Sequence, residues 1–333
     1  MNPTIKDVAK LAKTSKSTVS RYLNGHKVRR ETEEALKKVI KELNYFPNIN
    51  ARRLVMNNTR VIGIVVDDIA NNFYSGIFKG IEDMFNANGY QCVYYSRTSH
   101  YQGEFGFVDL ARERQVDGLI IVSFLKRSQK FIEKIQKLSI PVALIGDSNQ
   151  NEQVFSIDVN NEHGIREIIK YLHRIGHRKI AYITGPEEFS ATHWREKGYK
   201  DTIKELGLSY DSSWIVPSDW TEAGGYSAMM KLLEFDGITA VIGSNDEVAI
   251  GALLSAREMG YKVPMDYSIV GFDDIAVARW VYPPLTSVKQ PLYEIGEKVA
   301  EELVNQLKHG KAPTEKRILT EPQLVVRQSC INL

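Results

Sequence analysis

The chain has 333 residues, 43% of them hydrophobic and 25% charged, so it is long enough for two or three globular domains. No stretch approaches twenty consecutive apolar residues, and the polar, basic N-terminus lacks an apolar core, which argues against a membrane protein or a secreted one. Only two cysteines occur, without C-x-x-C spacing, which is typical of a protein of the reducing cytoplasm.

Positive charge is concentrated at the start of the chain. Residues 1–60 carry 14 lysines and arginines against 5 acidic residues, a net charge of +9, whereas the remainder carries 29 against 36, a net charge of −7. A basic segment of this kind is typical of a protein that binds a polyanion such as DNA. A basic run alone is more often a solvated surface, so the motif within it decides the interpretation.

Two short helices are predicted within residues 4–25. Thr4 and Asp7 can cap the first helix, whose apolar positions recur at helical spacing: Ile5, Val8, Ala9 and Ala12. Ser15 can cap the second helix, which turns Val19 and Leu23 inward. Its outward side chains suit phosphates and base edges: Lys16, Ser17, Ser20 and Arg21. The pattern predicts a DNA-reading helix-turn-helix.

These residues resemble the signature of the LacI/GalR (lactose-repressor-like) transcription regulators, T-[IL]-x-D-V-A-x-x-A-G-V-S-x-x-T-V-S-R-x-L-N. The matching residues are Thr4, Asp7, Val8, Ala9, Ala12, Ser15, Thr18, Val19, Ser20, Arg21, Leu23 and Asn24. Lys13 and Thr14 depart from the signature, and Lys13 costs about 1 kcal/mol if its φ is positive. The resemblance implies that Lys16, Ser17 and Arg21 read bases in the major groove. It implies further contacts to DNA by Thr4, Thr18, Ser20 and Asn24.

A third helix is predicted over residues 31–43, where apolar residues again recur at helical spacing: Ala35, Leu36, Val39, Ile40 and Leu43. It would complete a small three-helix core. Family members have a serine N-cap where Arg29 stands, so we expect this helix to begin without a side-chain cap. Arg29 and Arg30 are candidates for contacts to DNA phosphates, with solvated surface as the alternative.

A hinge is predicted after the third helix. Pro47 ends that helix, because proline disfavours helix at the residue before it. The residues that follow resemble the family's hinge motif Y-x-P-N-x-x-A-R-x-L at Tyr45, Pro47, Asn48, Ala51, Arg52 and Leu54. The resemblance implies that two short hinge helices, one per subunit, fold together in the minor groove, with Asn48 and Ala51 at the DNA. Leu54 would wedge between base pairs and kink the duplex.

From residue 61 short apolar runs alternate with helical stretches. Strands are predicted at residues 61–66, 91–96, 118–122, 142–145, 180–184, 240–243 and 268–272. Helices are predicted near residues 76–88, 105–114, 129–138, 163–174, 196–206, 222–234 and 248–259. This β-α-β repetition predicts an α/β fold of two doubly wound parallel sheets behind an all-α head.

The resemblance extends over residues 176–186, 243–251, 270–274 and 283–291. It implies a bilobed core like that of periplasmic binding proteins, with chain crossovers near Asn160, Gln290 and Thr320. The predicted domains are a helix-turn-helix domain (1–46), a hinge (47–60) and an effector-binding and dimerisation core (61–333). Within that core one subdomain holds about residues 61–160 and 291–320, and the other about 161–290 and 321–333. No leucine heptads follow, so a homodimer is expected rather than a tetramer.

Ligands of open α/β sheets bind outside the carboxyl ends of the strands. The candidate effector contacts at those ends are Asp67, Phe73, Tyr74, Asp147, Trp194, Arg195, Trp220, Asn245, Asp246, Asp273 and Gln290. Aromatic faces with bidentate Asp, Asn and Arg side chains fit the C–H faces and vicinal hydroxyls of a sugar. The resemblance supports Phe73, Arg195, Asn245 and Asp273 most, whereas Gly146 stands where many members have an aspartate.

The sequence therefore predicts a bacterial, cytoplasmic, nucleoid-associated regulator that is not an enzyme. It would be a repressor of carbohydrate-utilisation genes that binds palindromic operator DNA as a homodimer. It needs no cofactor or metal, and a sugar or sugar phosphate controls it; a nucleoside is the runner-up. One alternative is a catabolite-control regulator that docks phosphorylated HPr, since residues around Tyr293 resemble such proteins. Glu301 and Gln323, however, replace the arginines that suit phosphoserine. The other alternative is a sugar-metabolising enzyme with a DNA-binding head.

Overall fold

The computed structural model describes residues 3–46, 58–96, 106–146 and 154–333. The chain divides into two compact units, Met1–Thr59 and Arg60–Leu333. Four of the predicted contact residues lie outside the described residues: Asn48, Ala51, Leu54 and Asp147. Among the helices that are described, none combines the length and hydrophobicity that a membrane crossing requires.

The first unit contains three helices, α1 (Ile5–Leu11), α2 (Lys16–Leu23) and α3 (Arg30–Glu42). Their inward side chains form one apolar cluster, whose buried members are Val8, Ala9, Val19, Leu36, Val39 and Tyr45. Lys13 lies between α1 and α2 with a φ of 49°, so the backbone strain expected there is present. The helix-turn-helix prediction is confirmed, and its turn contains a lysine in a conformation that favours glycine.

The first lobe of the second unit is built on a parallel sheet. Its strands are β1 (Val61–Val66), β2 (Gln91–Ser96), β3 (Gly118–Val122), β4 (Val142–Ile145), β5 (Phe155–Val159) and β11 (Arg317–Thr320). They pair in the order β11-β5-β4-β3-β1-β2. The accompanying helices are α4 (Ser75–Ala87), α5 (Val108–Arg112), α6 (Gln129–Gln136) and α11 (Leu292–His309).

The second lobe repeats this plan. Its strands are β6 (Ile180–Thr184), β7 (Ile215–Pro217), β8 (Ala240–Gly243), β9 (Ser268–Asp273), β10 (Thr286–Lys289) and β12 (Gln323–Val325). They pair in the order β12-β10-β9-β8-β6-β7, and the β10–β12 pair is antiparallel. The helices are α7 (Asn161–Arg174), α8 (Ser190–Glu205), α9 (Glu222–Leu232) and α10 (Asp246–Glu258).

The chain passes between the two sheets three times, directly after β5, β10 and β11. Asn160 and Thr320 stand side by side at two of these crossings, and the Asn160 amide N–H donates to the Thr320 carbonyl oxygen at 2.9 Å. Away from the crossings the lobes also touch, because the Ser190 amide donates to the Phe124 carbonyl oxygen at 2.9 Å. The α/β fold class with two parallel-dominated sheets is confirmed.

Sequence patterns missed several elements and shifted others. Helix α8 begins at Ser190 and not at residue 196, since its first turn is formed by small residues that carry no helical period. Residues 325–329 (V-V-R-Q-S) also favour a strand by resemblance to the family, whereas the last strand of the structure is Gln323–Val325. The elements that the patterns did not indicate are β5, β7, β10, β11 and α11.

Candidate functional site

The outward face of α2 carries the side chains proposed to read DNA. Lys16, Ser17 and Arg21 are exposed, whereas Val19 on the opposite face is fully buried. Thr18, Ser20 and Asn24 are half-buried beside them. The surface therefore offers two cationic side chains and a hydroxyl from the first two turns of one helix, which is the composition that base edges and phosphates require.

Side-chain hydrogen bonds fix the start of α2. The Ser15 hydroxyl oxygen accepts from the Thr18 amide at 3.1 Å and lies 2.8 Å from the Thr18 hydroxyl oxygen. It also lies 2.7 Å from the Ser17 hydroxyl oxygen. This cap holds the first turn of the helix and orients two of the candidate contact residues.

Thr4 and Arg29 occupy the starts of the other two helices. The backbone amide and hydroxyl of Thr4 both donate to the Asp7 carboxylate, at 2.9 and 2.7 Å, and these bonds lower the pKa of Asp7. Arg29 is exposed and makes no side-chain cap hydrogen bond to α3, as the sequence predicted. Two carboxylates in the first turn, Glu31 and Glu33, compensate the positive end of that helix.

A cavity of about 620 Å³ lies in the second unit, where the carboxyl ends of the two sheets face one another. The predicted effector residues that line it are Phe73, Tyr74, Arg195, Trp220, Asn245, Asp273 and Gln290. Asp67 follows β1 but is not part of the lining. Trp194 is also absent from the lining, because it precedes Arg195 on α8 and therefore points about 100° away around the helix.

Arg195 is the central cation of the cavity. It is only 5% exposed, and its Nε donates to Asn161 Oδ1 at 2.8 Å. The two terminal nitrogens donate to the Ser244 carbonyl oxygen at 2.5 Å and to Asp273 Oδ1 at 3.4 Å. Its guanidinium carbon lies 3.8 Å from the centre of the Phe272 ring. Three polar partners and one aromatic face therefore hold the guanidinium in a single orientation.

Asp273 faces Arg195 at the end of β9. Its carboxylate accepts from the Gln290 side-chain amide at 2.5 Å, and its side chain is 10% exposed. Burial raises the pKa of Asp273 to about 6, against the opposing effect of the Arg195 charge. The lining thus contains a buried carboxylate that is held by a cation and by an amide donor.

Asp246, another of the predicted strand-end residues, also lines the cavity and organises the neighbouring loop. It is fully buried, and it accepts from the Ser287 hydroxyl at 2.5 Å and from the Ile275 amide at 2.8 Å. Burial, then the charge of Asp273, raises its pKa well above the ordinary value. Asp274 next to it is held by Arg327, whose guanidinium lies 2.6 Å from the carboxylate.

Three residues of the cavity lining have strained backbone conformations. Trp220, Asp273 and Asp274 have φ values of 66°, 113° and 53°, a region that non-glycine residues rarely adopt. Asn245 stabilises the first of these: its side-chain amide donates to the Trp220 carbonyl oxygen at 3.1 Å while its Oδ1 caps α10 at the Val248 amide, 2.8 Å away. The cavity wall is therefore preorganised before a ligand arrives.

Aromatic rings form the opposite wall. Phe73 packs edge-on against Tyr74 and Phe124, with ring centres 5.5 and 5.6 Å apart. The ring centre of Trp220, which also lines the cavity, lies 4.3 Å from that of Phe189. Sequence reasoning missed Phe124, Glu222, Glu247 and Lys289 as lining residues. Glu222 and Glu247 could have been found, because each lies in the first turn of a helix that follows a strand.

Comparison with known proteins agrees with this architecture. Residues 4–48 match the bacterial regulatory proteins of the lacI family, and residues 169–330 match the periplasmic binding protein-like domain. Catabolite control protein A of Priestia megaterium is 35% identical over 299 residues, 89% of this chain and 90% of that protein.

Two solved structures are similar over almost the whole chain. The lac repressor dimer bound to operator and the anti-inducer ONPF has a TM-score of 0.87 and 26% identity, covering 99% of this chain and all of that one. The transcriptional regulator CelR–cellobiose complex has a TM-score of 0.73 and 31% identity, covering 98% of this chain and 99% of that one. The chain therefore belongs to the LacI family of bacterial DNA-binding transcription regulators.

Proposed function

We propose that this protein represses carbohydrate-utilisation genes by binding a palindromic operator as a homodimer, and that a sugar bound between its lobes controls that binding. It acts by binding rather than by catalysis, in the bacterial cytoplasm at the nucleoid. The observation that carries the proposal is the presence in one chain of an exposed basic helix face and a preorganised cavity. Similarity to regulators that bind operator DNA and cellobiose supports both halves.

Three segments would have separate functions: the head at residues 1–46, the hinge at 47–60 and the effector core at 61–333. In the head, Lys16, Ser17 and Arg21 read bases, while other side chains hold the DNA backbone: Thr4, Thr18, Ser20, Asn24 and Arg29. In the hinge, Asn48, Ala51 and Leu54 contact the minor groove. These residue assignments rest on the signature match and, for the head, on exposure.

For the effector, Phe73, Tyr74 and Trp220 supply apolar faces for sugar C–H groups. Asp273, Asn245 and Gln290 supply hydrogen-bond acceptors and donors for hydroxyls. Binding closes the lobes around the three crossings and thereby changes how the two hinges of the dimer meet. The ligand shifts this equilibrium only by its difference in affinity for the two states.

A second copy of the chain is the proposed partner of an exposed apolar surface on the second lobe. Trp280 and Tyr282 are 80% and 76% exposed, and Leu254 on α10 is 46% exposed. Arg257 joins these elements, since its guanidinium donates to the Tyr282 carbonyl oxygen at 3.4 Å. Exposed apolar groups of this size mark interaction surfaces, and the similar lac repressor forms a dimer.

Fluorescence anisotropy of a labelled symmetric operator with a central C-G step tests the proposal, with sugars and nucleosides added at fixed salt. We expect Arg21→Ala to cost about 1–3 kcal/mol of operator binding, which is roughly 5- to 150-fold in affinity, with much less effect on random DNA. Lys38→Ala is the matched control, because it removes one exposed charge from α3. Equal binding of operator and random DNA by the wild type would refute sequence-specific recognition.

Control by a phosphorylated HPr-like protein is the second candidate function, favoured by the 35% identity to Catabolite control protein A. The surface around Tyr293 does not offer a phosphate site of the expected kind. Tyr293 donates to Asp83, and Glu301 is paired with Lys298 at 2.8 Å. A complex with serine-phosphorylated HPr that raises operator affinity without any sugar would establish this second function instead.

A further inference from the structure

Five helices begin at the cavity, and two of them, α9 and α10, place acidic residues of their first turn in its lining. Helix α9 carries Glu222 in its first turn, and α10 carries Asp246 and Glu247. An open helix N-terminus attracts phosphate, because its amide groups are unpaired and its dipole is positive. Here the N-caps already use such amides: Thr221 accepts from the Gly224 amide at 3.0 Å, as Asn245 does from Val248. The acidic side chains compensate both dipoles.

Most charged groups of the lining are already paired. Arg195 is shared among Asn161, Ser244 and Asp273, and Asp274 is paired with Arg327. Among the lining residues that the structure describes, the cation left over is Lys289, which is exposed. The first lobe contributes no charged side chain to the described lining.

Glu222 and Glu247 are the carboxylates of the lining to which the described residues give no ion-pair or hydrogen-bond partner. Glu222 is exposed and Glu247 is half-buried. Burial raises the pKa of Glu247, and the charge of Glu222 raises it further. The two carboxylates therefore repel one another electrostatically. A third negative charge placed between the lobes would be repelled by both.

We propose that Glu222 and Glu247 form a charge filter, which admits unphosphorylated sugars to the cavity and rejects sugar phosphates. The inference rests on the proposed effector function and specifies the class of its ligand. Carboxylates accept hydrogen bonds from sugar hydroxyls, so the same pair that repels phosphate favours a neutral polyol or an amino sugar.

Matched ligand pairs test the filter on the full-length protein: glucose with glucose 6-phosphate, ribose with ribose 5-phosphate, and cellobiose with cellobiose 6′-phosphate. Binding is followed by tryptophan fluorescence, since Trp220 lines the cavity. We expect at least one neutral sugar to bind at up to 10 mM and its phosphate to bind about tenfold more weakly or worse. Glucosamine, a cation, should bind at least as tightly as glucose.

The double variant Glu222→Gln/Glu247→Gln should reduce the discrimination within a pair to about threefold or less. Glu234→Gln is the control for a charge removed away from the cavity, because Glu234 is exposed just beyond the opposite end of α9. The control should keep the wild-type ratio. An unchanged ratio in the double variant would overturn the filter.

Other results would also contradict the charge filter. Equal or tighter binding of a phosphorylated member to the wild type would overturn it, and loss of that binding in Lys289→Gln would assign the phosphate to Lys289 instead. Absence of binding by every neutral sugar would overturn the ligand class. If a sugar phosphate releases the operator, the filter fails while effector control stands. If neutral sugars bind with the expected discrimination but leave operator affinity unchanged, effector control fails while the filter stands.

Discussion

Replacement of Arg195 by methionine removes the guanidinium and keeps most of the apolar stem. Asp273 is then left without its cation in a site where its side chain is only 10% exposed, and Ser244 and Asn161 each lose a donor. Breaking a buried ion pair by removing one partner costs about 3–5 kcal/mol. We expect Arg195→Met to lower the free energy of unfolding by that amount at pH 7.

The cost should depend on pH with a definite sign. Arg195 lowers the pKa of Asp273, which is about 6 in the wild type, so the variant's Asp273 has a higher pKa. Between pH 6 and 7 the variant's native state holds a proton that the wild type has released, so its stability falls as pH rises. One pH unit corresponds to about 1.4 kcal/mol. The loss should therefore be about 1 kcal/mol smaller at pH 5 than at pH 7.

Urea unfolding followed by tryptophan fluorescence measures the free energy of unfolding. The signal reports on the second lobe, because that lobe contains all four tryptophans: Trp194, Trp214, Trp220 and Trp280. Arg166→Met is the control: Arg166 pairs with Glu205 on the surface at 2.6 Å, and its loss should cost less than about 1 kcal/mol. Adding Asp273→Asn to Arg195→Met should recover about 1 kcal/mol or more. A loss below about 1 kcal/mol at pH 7, or equal losses at both pH values, would refute the reasoning.

Further predictions concern the head and the dimer. Lys13→Gly should stabilise the head by about 1 kcal/mol, because glycine adopts a φ of 49° without strain. The temperature at which half of the operator binding is lost should therefore rise, and an unchanged or lower temperature would contradict this. Ser15→Ala removes the cap of α2 and should cost about 1 kcal/mol, seen as weaker operator binding that Ser15→Asp restores. Tyr282→Asp should convert the dimer to monomers in sedimentation velocity at micromolar concentration, whereas Tyr210→Asp, also exposed, should leave the dimer intact.

Buried parallel strands were the most predictable part of the fold. The first four strands of the core agree with their predicted bounds, and three of them, β1, β3 and β4, are continuous apolar runs. Short or edge strands carry no such run: β7 has three residues and ends in proline, and the pattern of β11 includes an exposed leucine. Their positions depend on pairing with strands far away in sequence.

The residues of the site were predictable where their place at a strand end or a helix start brings them to the cavity. Arg195, Asn245, Asp273 and Gln290 line the cavity because strand ends and helix starts converge there. Which of two adjacent residues faces the cavity depends on helix rotation, and this separates Arg195 from Trp194. The structural role of Asp246 could not be predicted, because its partners lie at residues 275 and 287 and only the folded chain brings them together.

The three crossings also determine when each lobe can fold during synthesis. Helix α11 supplies Ile295, Val299 and Leu303 to the same core cluster as the strands of the first lobe. A ribosome that has released residues 60–290 has therefore made β1 to β5 without the helix that covers them. Their apolar face stays open until residue 309 emerges, when most of the second lobe is already available. The two lobes should thus complete folding together, because any continuous fragment that contains all of one lobe also contains part of the other.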